Sequence, residues 1–110
     1  MTDFIYKKRN TGKTTELIKR SAETGAFIVV RTGAMASATE AQAKDIGYKI
    51  PKPMSLIMFN HIMNIPEHRE KREEIFEKGI LIDELQLVID TLFGGVPVHA
   101  AAITDYSEGN

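Results

Sequence analysis

The 110-residue sequence contains no cysteine, which removes disulfides, thiolate metal sites and thiol nucleophiles together. That absence fits a reducing compartment. Net charge is nearly absent as well: 14 basic against 15 acidic side chains give −1 with histidine neutral. No whole-protein field therefore draws the chain to nucleic acid, and only a local basic patch could. Aromatic residues make up 7%, leaving few rings on which bases could stack. No apolar run approaches the roughly 20 residues of a membrane span, and the start Met1-Thr2-Asp3 is acidic rather than basic. The expectation is a cytoplasmic protein with no membrane partner. No internal repeat or low-complexity tract occurs beyond a bias toward alanine.

What remains is ordinary for a globular chain: 43% hydrophobic and 26% charged residues. At this length there is room for one domain and one core, burying roughly 60 to 70% of the surface that the unfolded chain exposes. Stability should be modest, so a bound ligand would add to it appreciably.

Along the chain, helical and extended patterns alternate. Phe4-Ile5-Tyr6 has strand composition and ends at Lys7-Lys8-Arg9-Asn10. Leu17, Ile18 and Ala22 then recur at helical spacing, with Gly25 as a stop, so a helix is expected from Lys13 to about Thr24. Phe27-Ile28-Val29-Val30 is continuously apolar, the pattern of a strand buried on both faces. Ala34 to Ile46 is helix-prone and halted by Gly47. Ile50-Pro51-Lys52-Pro53 breaks the chain. Met54 to Met63 suits a short strand running into a short helix, and Pro66 to Lys78 a loop and an exposed helix. Ile80-Leu81-Ile82 reads as a second buried strand closed by Asp83-Glu84. Leu85, Val88, Ile89 and Leu92 follow at helical spacing before Gly94-Gly95. Val96 to Ile103 is a last strand candidate, and Tyr106 to Asn110 reads as a loose tail. Strands alternating with helices imply parallel pairing through helical crossovers. The expected fold is an α/β three-layer sandwich with a parallel sheet of four to five strands.

Two motifs carry chemistry. Asn10-Thr11-Gly12-Lys13-Thr14-Thr15 lies between a short strand and an amphipathic helix. Nucleotide phosphates need backbone N–H donors, a mobile cation and a hydroxyl for Mg²⁺, and a helix N-terminus supplies the N–H groups with the positive end of the dipole. Gly12 allows close approach, Lys13 brings the ammonium and Thr14 the hydroxyl. Counting back, the first glycine of the pattern G-x-x-x-x-G-K-[ST] falls on Lys7. The second motif is Gly79-Ile80-Leu81-Ile82-Asp83-Glu84, an apolar strand ending in two carboxylates. Asp83 suits Mg²⁺ and Glu84 suits deprotonation of an attacking water. Either could also serve the next helix, Asp83 as its cap and Glu84 in its first turn.

With both motifs in this order, the sequence resembles the P-loop NTPases. Gly12-Lys13-Thr14-Thr15 is similar to Walker A and Ile80-Leu81-Ile82-Asp83-Glu84 to Walker B. The glutamate directly after the aspartate is similar to the branch with an additional catalytic Glu, which holds helicases, RecA-like ATPases and terminases; Asp83-Glu84-Leu85-Gln86 also looks like a helicase DExx box. The resemblance implies ATP or another nucleotide with Mg²⁺. The backbone of Asn10, Thr11, Gly12, Lys13, Thr14 and Thr15 would hold the phosphates, with Lys13 and Glu84 catalytic and Thr14 and Asp83 on the metal. It further implies that Ala102-Ile103-Thr104-Asp105 takes the place of a polar sensor, and that Val98 to Ile103 lies between Phe4–Tyr6 and Ile80–Ile82. Lys7 departs from the pattern, and a single lobe is expected from these 110 residues, without the second RecA-like lobe of helicases. A trans-acting arginine would have to come from another subunit or a protein partner. The chain thus looks like a pared-down, phage-type accessory ATPase. The alternative is a non-catalytic interaction module with a degenerate P-loop, acting on a replication, packaging or host-defence assembly.

Other polar residues offer less. Lys7, Lys8 and Arg9 could assist a triphosphate or simply be solvated, and Arg31 could face the same end of the sheet. His61, His68 and His99 lack metal-site spacing, and Glu67-His68 lacks the HExxH arrangement. Met54, Met58 and Met63 read as core filler.

Overall fold

The computed structural model describes residues 2–6, 8 and 12–104. Helix α1 spans Lys13–Thr24, strand β1 Phe27–Val30, helix α2 Gly33–Asp45 and strand β2 Met54–Ser55. Helix α3 (Leu56–Asn64), a 3₁₀ turn (Pro66–His68), helix α4 (Arg69–Lys78), strand β3 (Ile80–Ile82) and helix α5 (Leu85–Leu92) complete the order. The helices lie where the sequence pattern puts them, and so do the strand-to-helix passage at Met54 to Met63 and the break before it. No helix among the described residues is long and apolar enough to cross a membrane.

The sheet is parallel, in the order β2-β1-β3, with Val29 opposite Met54 and Phe27, Ile28 and Val29 opposite Ile80, Leu81 and Ile82. Its centre, β1, explains the unbroken apolar run. Successive side chains of a strand point to opposite faces, so Phe27 and Val29 join Met54, Leu56, Ile62, Ile75 and Val88 in one core cluster. Ile28 and Val30 join Leu17, Ile18, Ala36 and Ala43 in the other. Helices α1 and α2 thus supply one face and α3, α4 and α5 the other, which makes three layers.

Polar groups that would weaken these layers are satisfied locally. Ser21, fully buried, donates its hydroxyl to the Ala26 carbonyl at 2.7 Å. Arg72 donates to the Ile62 and Ile65 carbonyls at the end of α3 (3.1 and 2.9 Å), placing a cation where the helix dipole is negative. Arg20 binds Asp3 at 2.6 Å and Glu16 at 2.7 Å, which ties the N-terminal segment to α1. Those two hydrogen bonds, to Asp3 first and Glu16 second, raise its pKa above the usual arginine value.

The α/β fold and the parallel sheet are as expected, and three of the four to five expected strands are present among the described residues: Phe4–Tyr6 and Val96–Ile103 form no strand there. Composition favours an extended backbone, but a strand exists only when an edge pairs with it. Ile5 alone of the first segment packs on the core, while Tyr6 is 96% exposed. The second segment carries Pro97, which lacks a donor, and three alanines of low strand propensity, Ala100 to Ala102. The expectation for β3 is corrected: it is an edge strand with Ile80 and Ile82 each 37% exposed, not a buried one, because no strand lies beyond it among the described residues.

Candidate functional site

The site is assembled where α1 begins and β3 ends. Gly12 precedes α1 with φ 85° and ψ 22°, a left-handed turn that glycine adopts without penalty. Among the described residues a β-carbon there would meet no atom within 4 Å, so the conformation rather than crowding calls for glycine. The helix ladder starts with the Glu16 N–H donating to the Gly12 carbonyl at 3.0 Å. The amides of Thr14 and Thr15 precede that bond, and Gly12 has no side chain with which to cap them. This is the end of a helix that attracts anions. Lys13 turns its ammonium back along the loop, Nζ donating to the Lys8 carbonyl at 3.3 Å.

Across the sequence, the Thr14 hydroxyl donates to Asp83 Oδ2 at 2.9 Å. Asp83 is only 6% exposed. Its backbone is held as well, its N–H donating to the Val29 carbonyl at 3.1 Å and so extending the β1–β3 ladder by one step. Both residues proposed for the metal therefore meet, although 69 positions separate them. Glu84 comes next, exposed, with φ 57° and ψ 63°, and it is the only non-glycine residue at positive φ among those described. Its side chain does not cap α5.

Thr15 has a partner that sequence reasoning missed: Gln42 of α2 donates from Nε2 to Thr15 Oγ1 at 3.1 Å. No local pattern marks Gln42, since only the packing of α2 on α1 brings it there. Arg31 is exposed just beyond β1, and Lys8 is exposed near Lys13. Lys7, Arg9, Asn10, Thr11 and Asp105 lie outside the described residues, as does the Tyr106–Asn110 tail.

No group of three or more His, Cys, Asp or Glu side chains able to hold a metal occurs among the described residues. A dedicated cage for a divalent ion is thus missing there. Mg²⁺ in phosphate sites seldom has one, being held by one or two protein oxygens with phosphate and water completing the octahedron. A hydroxyl and a carboxylate 2.9 Å apart fit that donor set: neighbouring ligands of an octahedral ion at 2.0–2.1 Å stand about 2.9 Å from each other. His61 and His68 meet edge to face with ring centres 5.0 Å apart, by way of the turn after α3.

A separate cavity of about 350 Å³ opens between α2, β2 and α3, floored by Ala36, Pro53, Met54 and Ile62 and touched by Glu40 and Lys52. It contains none of the motif residues. Compared with protein-family models, curated proteins and solved structures, the chain has no match.

Proposed function

We propose that this protein binds a nucleoside triphosphate, ATP or a close analogue, with Mg²⁺ at the start of α1, and hydrolyses it slowly or only with a partner. The observation that carries the proposal is the 2.9 Å contact between Thr14 and the buried Asp83. A buried carboxylate is costly unless it is partnered, and here it sits at a strand end, against the first turn of a helix that opens with Gly-Lys-Thr.

The residues divide the work by their chemistry. The first-turn amides and Gly12 receive phosphate oxygens. Lys13 exchanges the Lys8 carbonyl for the more strongly attracting β- and γ-phosphates. Thr14 and Asp83 would hold Mg²⁺, which when bound offsets the phosphate negative charge. Glu84 takes the proton of the attacking water as that water bonds to the γ-phosphorus and the bond to the bridging oxygen breaks, releasing diphosphate nucleotide.

This reading also requires a larger sheet of P-loop type, and the open edge of β3 supports it. A strand, a helix and a following parallel strand connect with right-handed sense in about 98% of cases. Val98 to Ile103, following β3 and α5, would pair with β3 in that way, with Phe4–Tyr6 beyond.

The test is thermal unfolding of the wild type and Lys13→Ala with and without Mg²⁺-ATP. A ligand at about 100 times its Kd contributes roughly 2.7 kcal/mol, several degrees for a domain of this size. A shift in the wild type alone is expected; no shift in either removes the nucleotide site. The second reading, an interaction module without turnover, would then lead. It is favoured by the apolar surface that Ile80, Ile82, Leu92 and Phe93 expose along β3 and α5.

A further inference from the structure

We propose that Gln42 is a positioning residue for the nucleotide, setting the polarity of the Thr15 hydroxyl so that its proton is given to a phosphate oxygen. The inference rests on the nucleotide site proposed above and adds a residue from outside both motifs.

A hydroxyl donates one hydrogen bond and accepts up to two. Thr14 and Thr15 are chemically identical neighbours in the first turn of α1, yet the structure gives them opposite partners. The Thr14 hydroxyl donates to the Asp83 carboxylate at 2.9 Å. Its proton is committed, and what it has left to offer is lone pairs, which suit a cation. The Thr15 hydroxyl accepts from the Gln42 amide at 3.1 Å. A lone pair is committed there, and the proton is left for an acceptor, which suits an anion. One first turn thus presents a cation-facing and an anion-facing oxygen side by side, as a metal-bound polyphosphate requires.

Gln42 is suited to the task in position and charge. Thr39 and Ala43, on either side of it along α2, are buried, so this face of the helix is packed, and Gln42 is itself half-buried. Its backbone is regular, its carbonyl accepting from the Ile46 N–H at 3.1 Å. The helix therefore fixes the backbone from which the amide reaches Thr15. A neutral amide donates without adding negative charge next to a phosphate, which a glutamate at the same place would do. A hydrogen bond holding a half-buried hydroxyl in one orientation also removes the cost of ordering that group when the ligand arrives.

The experiment is a double-mutant cycle read by Mg²⁺-ATP affinity, with Gln42→Met and Thr15→Val made singly and together. Methionine keeps the length and removes the donor, and Gln42→Ala serves where methionine disturbs folding. Gln42→Met is expected to weaken binding about three- to tenfold, the range of one modest hydrogen bond. It should do nothing further in the Thr15→Val background, while Thr15→Ser keeps the dependence on Gln42. Unchanged affinity in Gln42→Met, or an equal loss with and without the Thr15 hydroxyl, overturns the proposal and leaves Gln42 a helix tether. If Lys13→Ala abolishes binding and Thr15→Val leaves the affinity unchanged, the phosphates ignore Thr15: the site survives and this inference fails. If wild type and Lys13→Ala bind alike, the nucleotide site itself falls, and the inference with it.

Discussion

Replacing Glu84 with glycine should stabilise the protein relative to replacing it with alanine, while both changes remove hydrolysis. Glu84 is held at φ 57° and ψ 63°, a conformation that costs an L-residue about 1–2 kcal/mol through contact of its β-carbon with the following carbonyl. Glutamate lacks the short polar side chain with which asparagine or aspartate eases that cost, and its own side chain makes no capping bond to α5. Alanine retains the strained β-carbon and glycine does not. Both variants lose the glutamate charge near the positive end of α5, so that contribution cancels between them. Glycine gives back about 0.4–1 kcal/mol through the greater freedom of its unfolded chain. The net difference is about 0.5–1 kcal/mol in favour of glycine, or roughly 2–6 °C at this size. Urea unfolding of the two variants, compared at equal slope, measures it directly. An alanine variant as stable as the glycine variant would refute the reasoning, because the backbone at residue 84 would then carry no strain. The strain is held at the residue proposed to activate water, where such cost is commonly retained for function.

Glu84→Gln should leave Mg²⁺-ATP affinity within about twofold and abolish phosphate release; an equally active variant would exclude Glu84 as the base. Ile28→Ala, at a side chain with no exposed surface, should cost about 2–5 kcal/mol in denaturant unfolding, a large part of a stability of about 5–15 kcal/mol. Backbone amides of 98–103 should gain hydrogen-exchange protection when nucleotide binds, if that segment pairs with β3, and unchanged exchange would leave the sheet at three strands. Arg72→Ala should destabilise by about 1–3 kcal/mol through the Ile62 and Ile65 carbonyls that it abandons, without altering nucleotide affinity.

Much of this architecture is local in origin and so legible from residues close together in the chain. Four consecutive apolar residues, Phe27 to Val30, need two buried faces, and the structure supplies both. The glycines at positions 25 and 47 stop helices because they take up the left-handed turn that follows. Gly12-Lys13-Thr14 lies at a helix start and Asp83 at a strand end, as their flanking patterns require.

Tertiary structure alone decided the rest, because pairing depends on what stands opposite and not on what stands adjacent. Phe4–Tyr6 and Val96–Ile103 have strand composition yet pair with nothing among the described residues, and β3, read as buried, became an edge for the same reason. The order of the two motifs suggests that Thr14 and Asp83 meet, but the contact exists only in the fold, where β3 pairs with β1, the Asp83 N–H extends that ladder to Val29 and the Thr14 hydroxyl reaches the carboxylate. Gln42 is the plainest case. Nothing about a glutamine in an alanine-rich helix announces a role, and its partner is 27 residues away. The turn of α2 that presents it reaches Thr15 only because α1 and α2 pack side by side on the same face of the sheet.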